Sequence, residues 1–360
     1  MIDAARGVMR AVRLIGAVTP TNADAELARL ERTFAQGEPA TPAWSYARRD
    51  VSELERALGA LDRAGSAWDE PLRSLYSARL DEMALEIALV GAVGSRVFGA
   101  LAARRYASAS DDARDADALT ERWRARSRKD TGARVRTDSD DPRSLLSRVR
   151  AEIGASRAPF AVSVATNLGA LAATGERTVY VARDRETTER AARRIAIHEV
   201  RGHVMPRVRA AVMHPFFSLG TARGADDQEG LALVCEERAG LLDDARKREL
   251  ARRHRAATLM RAGADFVEVT RGLVAHGASV SEALAASARA FRGSDGRARS
   301  TGGLGRESVY LASFLRVRAL GAEDVALLAC GQIAIDALEP VRHWAGRHAS
   351  AEPPPMSATV

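Results

Sequence analysis

The chain has 360 residues, 46% of them hydrophobic and 28% charged, with a formal net charge of +7. That balance belongs to a globular chain with a core of its own and excludes a low-complexity or collagen-like one. Only two of the 54 basic residues are lysine (Lys129 and Lys247), and the arginines are spread along segments of alternating charge with no basic block. This reads as a solvated surface, not a nucleic-acid interface.

Apolar residues at three- and four-residue intervals predict helices over 22–34, 50–64 and 71–91. Asp50-Val51-Ser52-Glu53 has the form of a capped helix start. The best membrane candidate, 83–103, is interrupted by Glu86 and Arg96, so no span is expected. The N-terminal apolar run is short and broken by Arg13, so no signal peptide is read and the cytoplasm is the expected location. The first 142 residues carry no catalytic constellation and are read as a helical cap or brace. Within them, 108–142 is rich in Asp, Arg, Ser and Thr; it predicts a polar helix from Asp111 to about Arg126 and then an exposed connection, where the boundary falls.

The segments 160–165 and 178–182 read as short strands, followed by a helix over about 187–203. Residues 143–348 are expected to form the catalytic core and 349–360 a disordered tail. Cys235 and Cys330 are isolated within apolar runs, without CxxC spacing, and are expected to be buried free thiols of a reducing compartment.

The chemistry concentrates in Ile197-His198-Glu199-Val200-Arg201-Gly202-His203 and Gln228-Glu229-Gly230-Leu231-Ala232. Two histidines and a distant glutamate are a normal ligand set for a catalytic zinc that keeps a fourth position for water, which assigns His198, His203 and Glu229. A glutamate directly after the first histidine is placed to take a proton from that water, which assigns Glu199. In the common H-E-x-x-H the histidines lie four apart; here they lie five apart, roughly 140° around an ideal α-helix. They converge only if the helix widens by a residue, as a π-bulge does, or ends between them, and Gly202 is best able to absorb that distortion. Glu229 is read as beginning a helical run, and Glu236, seven residues on, returns to nearly the same face as a candidate acceptor for a ligand histidine's second N–H. His214, His254, His276, His343 and His348 have no partner spacing and are read as surface or packing residues.

The HEVRGH and QEGLA pair resembles the QEGLA-motif proteins, a family that includes the microtubule-associated tyrosine carboxypeptidases of animals and bacterial proteins named for flavohaemoglobin expression modulation. Pro20-Thr21-Asn22, Pro42-Ala43-Trp44-Ser45-Tyr46, His214-Pro215-Phe216-Phe217 and Gly302-Gly303-Leu304-Gly305-Arg306-Glu307-Ser308-Val309-Tyr310-Leu311 are similar to further segments of that family. Arg306 stands where a lysine is usual, Leu304 where phenylalanine is common, and His214 in place of a glutamine; these departures bear on substrate choice.

The resemblance implies a predominantly helical α+β fold with a zincin-like core, a small sheet lying over the HExxxH helix. It implies a zinc metallocarboxypeptidase acting on the C-terminus of a peptide or protein and removing Tyr or Phe. An endopeptidase or amidase, or a non-catalytic regulatory zinc protein, are the alternatives. Tyr310, in the glycine-rich segment, is the candidate oxyanion donor, and Arg292 and Arg306 are candidates for the substrate's terminal carboxylate. No nucleic acid or membrane partner is expected, and the oligomeric state is not read from the sequence.

Overall fold

The computed structural model describes residues 1–65, 70–124, 132–166, 168–296 and 302–347. The tail expected over 349–360 lies outside them, as does His348. The architecture is α+β and predominantly helical, with five short strands among the described residues. Two compact units are each assembled from separated stretches of chain. One comprises Met1–Ala67, Ser77–Arg126 and Lys247–Ala312; the other comprises Trp68–Tyr76, Ser127–Arg246 and Ser313–Val360. None of the described helices is long and apolar enough to cross a membrane.

The first unit is helical because its apolar positions recur at helical spacing and its helix starts are capped. Helix Ala23–Ala35 turns Leu30 inward and carries Asp24 and Glu26 in its first turn, where the helix dipole favours them. Helices Phe266–Ala275 and Val280–Ala290 each begin with a capping box, Asp265 with Glu268 and Ser279 with Glu282. Their inward faces join Leu30, Met260, Phe266, Val269, Leu284 and Phe291 in one core. Two early segments meet here: Thr21 N donates to Ser45 O at 2.7 Å, and Asn22 Nδ2 to Ala43 O at 2.8 Å. The three early helices and the polar one occur as Ala23–Ala35, Ser52–Gly65, Leu72–Gly91 and Ser110–Arg124.

The second unit holds both sheets. Strands β1 (Arg134–Arg136) and β5 (Glu186–Thr188) pair antiparallel. Strands β2 (Ala161–Ala165), β3 (Ala172–Thr174) and β4 (Thr178–Ala182) form a three-stranded sheet in the order β2-β4-β3. β2 runs parallel to β4, with Val162 opposite Val179; β3 runs antiparallel to it, with Ala173 opposite Tyr180. Val179 and Val181 are buried while Tyr180 between them is exposed, the alternation that a half-buried strand requires. Helix Leu145–Ala155, capped by Ser144, packs Leu145, Val149 and Ile153 against that sheet and against Ala192, Ala196 and Val200.

Thr188 ends β5 and at once caps the next helix, accepting from Ala191 N at 3.2 Å. The helix runs as α over Glu189–Ile197, widens to π over His198–Val204, and resumes as α over Met205–Val212. Pro206, which has no N–H to donate, lies where the α ladder restarts. The widened segment crosses helix Gly224–Arg238 at Gly202: a Cβ there would stand 2.3 Å from the Ala232 Cβ. Neither backbone can retreat cheaply, so Gly202→Ala should destabilise the protein by about 2 kcal/mol or more, read as a fall in the denaturant midpoint at unchanged slope.

Candidate metal centre

Widening the helix solves the spacing problem. With hydrogen bonds reaching five residues instead of four, positions five apart stack on one face. His198 and His203 are thus brought side by side, ring centroids 5.1 Å apart. The opposing helix begins at Gly224, five residues earlier than the sequence reading, so Glu229 sits in its buried middle instead of at its start. Its Oε2 lies 3.4 Å from His198 Nε2 and 3.8 Å from His203 Nε2. All three ligand atoms lie within 4.8 Å of one another and could hold a metal ion. Ligands about 2 Å from a tetrahedral ion stand roughly 3.3 Å apart, so the donor set fits with small side-chain adjustments.

The far side of each ring is fixed. His198 Nδ1 donates to Glu236 Oε1 at 2.8 Å, and His203 Nδ1 donates to Gln228 Oε1 at 2.9 Å. A carboxylate can only accept, so His198 carries a proton on Nδ1, which leaves Nε2 as the atom available to a ligand ion. Glu236 is itself fully buried, held by Arg246 Nε at 3.1 Å and approached by Arg194 at 3.6 Å. Burial pushes its carboxyl up, but Arg246, Arg194 and His198 outweigh that and hold its pKa down at about 2. Gln228 Oε1 also accepts from Gln332 Nε2 at 3.3 Å, which orients the amide.

Burial also opposes a charged His198, yet hydrogen bonds to Glu229 and Glu236 prevail and raise its pKa to about 9. His203 moves the other way: burial lowers it despite Glu229 and Glu199. At His198 the surrounding carboxylates thus favour positive charge, which is what a divalent cation supplies.

Glu199, on the same widened turn, is 8% exposed and accepts from the Thr174 hydroxyl at 2.7 Å. Thr174 belongs to β3, so the strand and the helix position this carboxylate together. Arg207, one turn beyond His203, donates to the His203 carbonyl at 3.3 Å. Burial lowers its pKa against the pull of Glu199, Glu176 and Glu229, and no carboxylate lies within ion-pairing distance of it among the described residues.

The other residues singled out in the sequence lie elsewhere. Tyr310, Arg292 and Arg306 belong to the first unit, where Arg306 Nη1 donates to the Tyr310 hydroxyl at 3.3 Å. His214 caps helix Pro215–Leu219 by accepting from Phe216 N at 3.2 Å and packs its ring on Trp344. Cys235 is buried and Cys330 partly so; both are free, and burial raises the Cys235 thiol to about 11. Sequence reasoning missed Thr174, Gln228, Arg246, Arg194 and Arg207. Gln228 was in plain view as the residue before Glu229; the others are single polar residues in segments without a spacing signal.

The sequence model of a family described as microtubule-associated tyrosine carboxypeptidase matches residues 31–357, nearly the whole chain, and the protein belongs to that family. No curated protein matches the chain.

Because Glu236 fixes the His198 ring, Glu236→Gln should weaken divalent-metal affinity about 10-fold or more, measured by competition with a chromogenic chelator; an unchanged affinity would mean that the ring is oriented by packing alone.

Proposed function

We propose that this protein is a zinc-dependent carboxypeptidase with a zincin-like core, removing a C-terminal Tyr or Phe from a peptide. The observation that carries the reading is the convergence of His198, His203 and Glu229 with a buried carboxylate, Glu199, on the same widened turn. Family membership supports the peptidase class. When bound, zinc supplies Lewis acidity, bringing the pKa of water towards 7 and polarising a carbonyl.

The chain's own residues do the rest. The three ligands are two neutral imidazoles and one carboxylate, a set that leaves a position open for water or substrate. Glu199 accepts the water proton and returns it to the leaving amine. Thr174, donating to Glu199 Oε2, leaves Oε1 as the oxygen for that task and keeps the side chain in one rotamer. β3 is a sheet edge beside this turn, so its backbone is available to an extended peptide. Tyr310 is proposed as the donor to the oxyanion. Arg292 and Arg306 are proposed for the terminal carboxylate, and Arg207 joins them because it is a cation on the helix that carries the ligands.

Glu199→Gln should retain one zinc per chain and lose at least about 10²-fold in turnover, followed by mass spectrometry of a peptide library with free C-termini. Glu229→Ala should lose the metal itself, read by metal analysis after gel filtration. C-terminally amidated peptides should be spared; their cleavage would move the assignment to an endopeptidase or amidase. Loss of the metal in none of the ligand variants would remove the central reading.

A further inference from the structure

The two histidines that meet at the candidate metal centre are held from behind by different chemistry. His198 Nδ1 donates to Glu236, a carboxylate, whose two oxygens are alike; turned over, it still accepts. His203 Nδ1 donates to Gln228 Oε1 at 2.9 Å, and an amide has a wrong way round. Turned over, Gln228 would offer Nε2 to the ring. That nitrogen donates, so His203 would carry its proton on its own Nε2, the atom that faces Glu229 Oε2 at 3.8 Å. A protonated Nε2 has no lone pair to give an ion. The ligand set therefore needs one orientation of one amide.

Gln228 is 2% exposed, and its Nε2 is buried without a hydrogen-bond partner. The amide is thus anchored through its oxygen, which accepts from His203 Nδ1 and from Gln332 Nε2 at 3.3 Å. Gln332 lies between helix Ala322–Leu328 and the short turn Ile335–Ala337, in the same unit as the histidines, and its backbone is clamped. Its carbonyl accepts from Thr221 N at 2.9 Å, and Ala334 N donates to Thr221 Oγ1 at 2.8 Å. Two glycines make room for it: a Cβ on Gly224 would stand 1.8 Å from Gln332 O, and one on Gly220 would stand 2.8 Å from Gln332 Cβ. Ile335 N completes the clamp by donating at 2.8 Å to Oδ2 of Asp227, the residue before Gln228.

We propose that Gln332 is a positioning residue for metal loading. By donating to Gln228 Oε1 it selects the amide orientation that keeps the His203 proton on Nδ1 and leaves Nε2 free. The proposal rests on the reading of His203 as a metal ligand, and concerns how the site is made ready instead of what it hydrolyses. His198 needs no such partner, because a carboxylate cannot be turned the wrong way.

The test combines two measurements on the full-length protein. One is zinc affinity, by competition with a chromogenic chelator. The other is the nitrogen NMR spectrum of the histidine rings without metal, at mildly alkaline pH where imidazole is neutral. Wild type should show His203 protonated on Nδ1. Gln332→Glu replaces a donor by an acceptor, so the Gln228 amide should turn over and the His203 proton should move to Nε2. Zinc affinity should then fall about 10-fold or more. Charge alone predicts the reverse, since an added carboxylate attracts a cation. Gln332→Met removes the donor without adding charge; it should also lower the affinity, and serves should the first variant fail to fold. In a Gln228→Glu background, where the acceptor has no wrong way round, Gln332→Met should leave zinc affinity unchanged. An unmoved His203 tautomer in Gln332→Glu would overturn the proposal. So would an equal loss of affinity from Gln332→Met in both backgrounds, which would mean a displaced backbone. Either result in a wild type that binds zinc strikes this proposal alone, whereas a wild type that takes up no zinc strikes the hydrolase reading and the proposal with it.

Discussion

The candidate metal centre depends on one close approach between two helices. Gly202 on the widened turn meets Ala232 on helix Gly224–Arg238 with no room for a methyl group. That contact sets how near the histidine-bearing turn comes to the glutamate-bearing helix, and so whether Nε2 and Oε2 atoms can share an ion. The second helix cannot yield, because on its other side a Cβ at Gly230 would stand 2.5 Å from the Ser313 carbonyl. Each position in Gln228-Glu229-Gly230-Leu231-Ala232 then has a physical task. Gln228 orients His203, Glu229 faces the Nε2 atoms of His198 and His203, Gly230 admits the Ser313 backbone, Leu231 is buried, and Ala232 receives Gly202. The motif describes a packing arrangement as much as a ligand.

Two buried glutamates near this contact have opposite electrostatic settings, and the settings separate their roles. Glu236 is surrounded by Arg246, Arg194 and the His198 ring, so it stays ionised and immobile: a counter-ion. Glu199 has a neutral hydroxyl as its hydrogen-bond partner. A carboxylate bound by two guanidiniums cannot take up a proton near neutral pH without breaking those pairs. On the proposed reading the proton acceptor is Glu199, while Glu236 orients its neighbour His198.

What the sequence discloses follows the physics of each element. Helices Ala23–Ala35, Ser52–Gly65 and Leu72–Gly91 and strands β2 and β4 carry their period in their apolar residues, and they stand within a residue or two of where the pattern puts them. The π turn is legible only as one of two options, since two histidines five apart can meet if the helix widens or if it ends between them; here it widens. β1, β3 and β5 have three residues each, too few for an alternation to register, so Thr174 stays hidden until the fold delivers it to Glu199. Arg246 and Arg194 are hidden for another reason. In a chain with this much arginine, the two that reach Glu236 differ from the rest only in where they point.

At the candidate metal centre His198, Glu229, Glu236 and Arg246 form a chain in which each charged group has an opposite neighbour, and the Nε2 and Oε2 atoms left over converge where a cation fits.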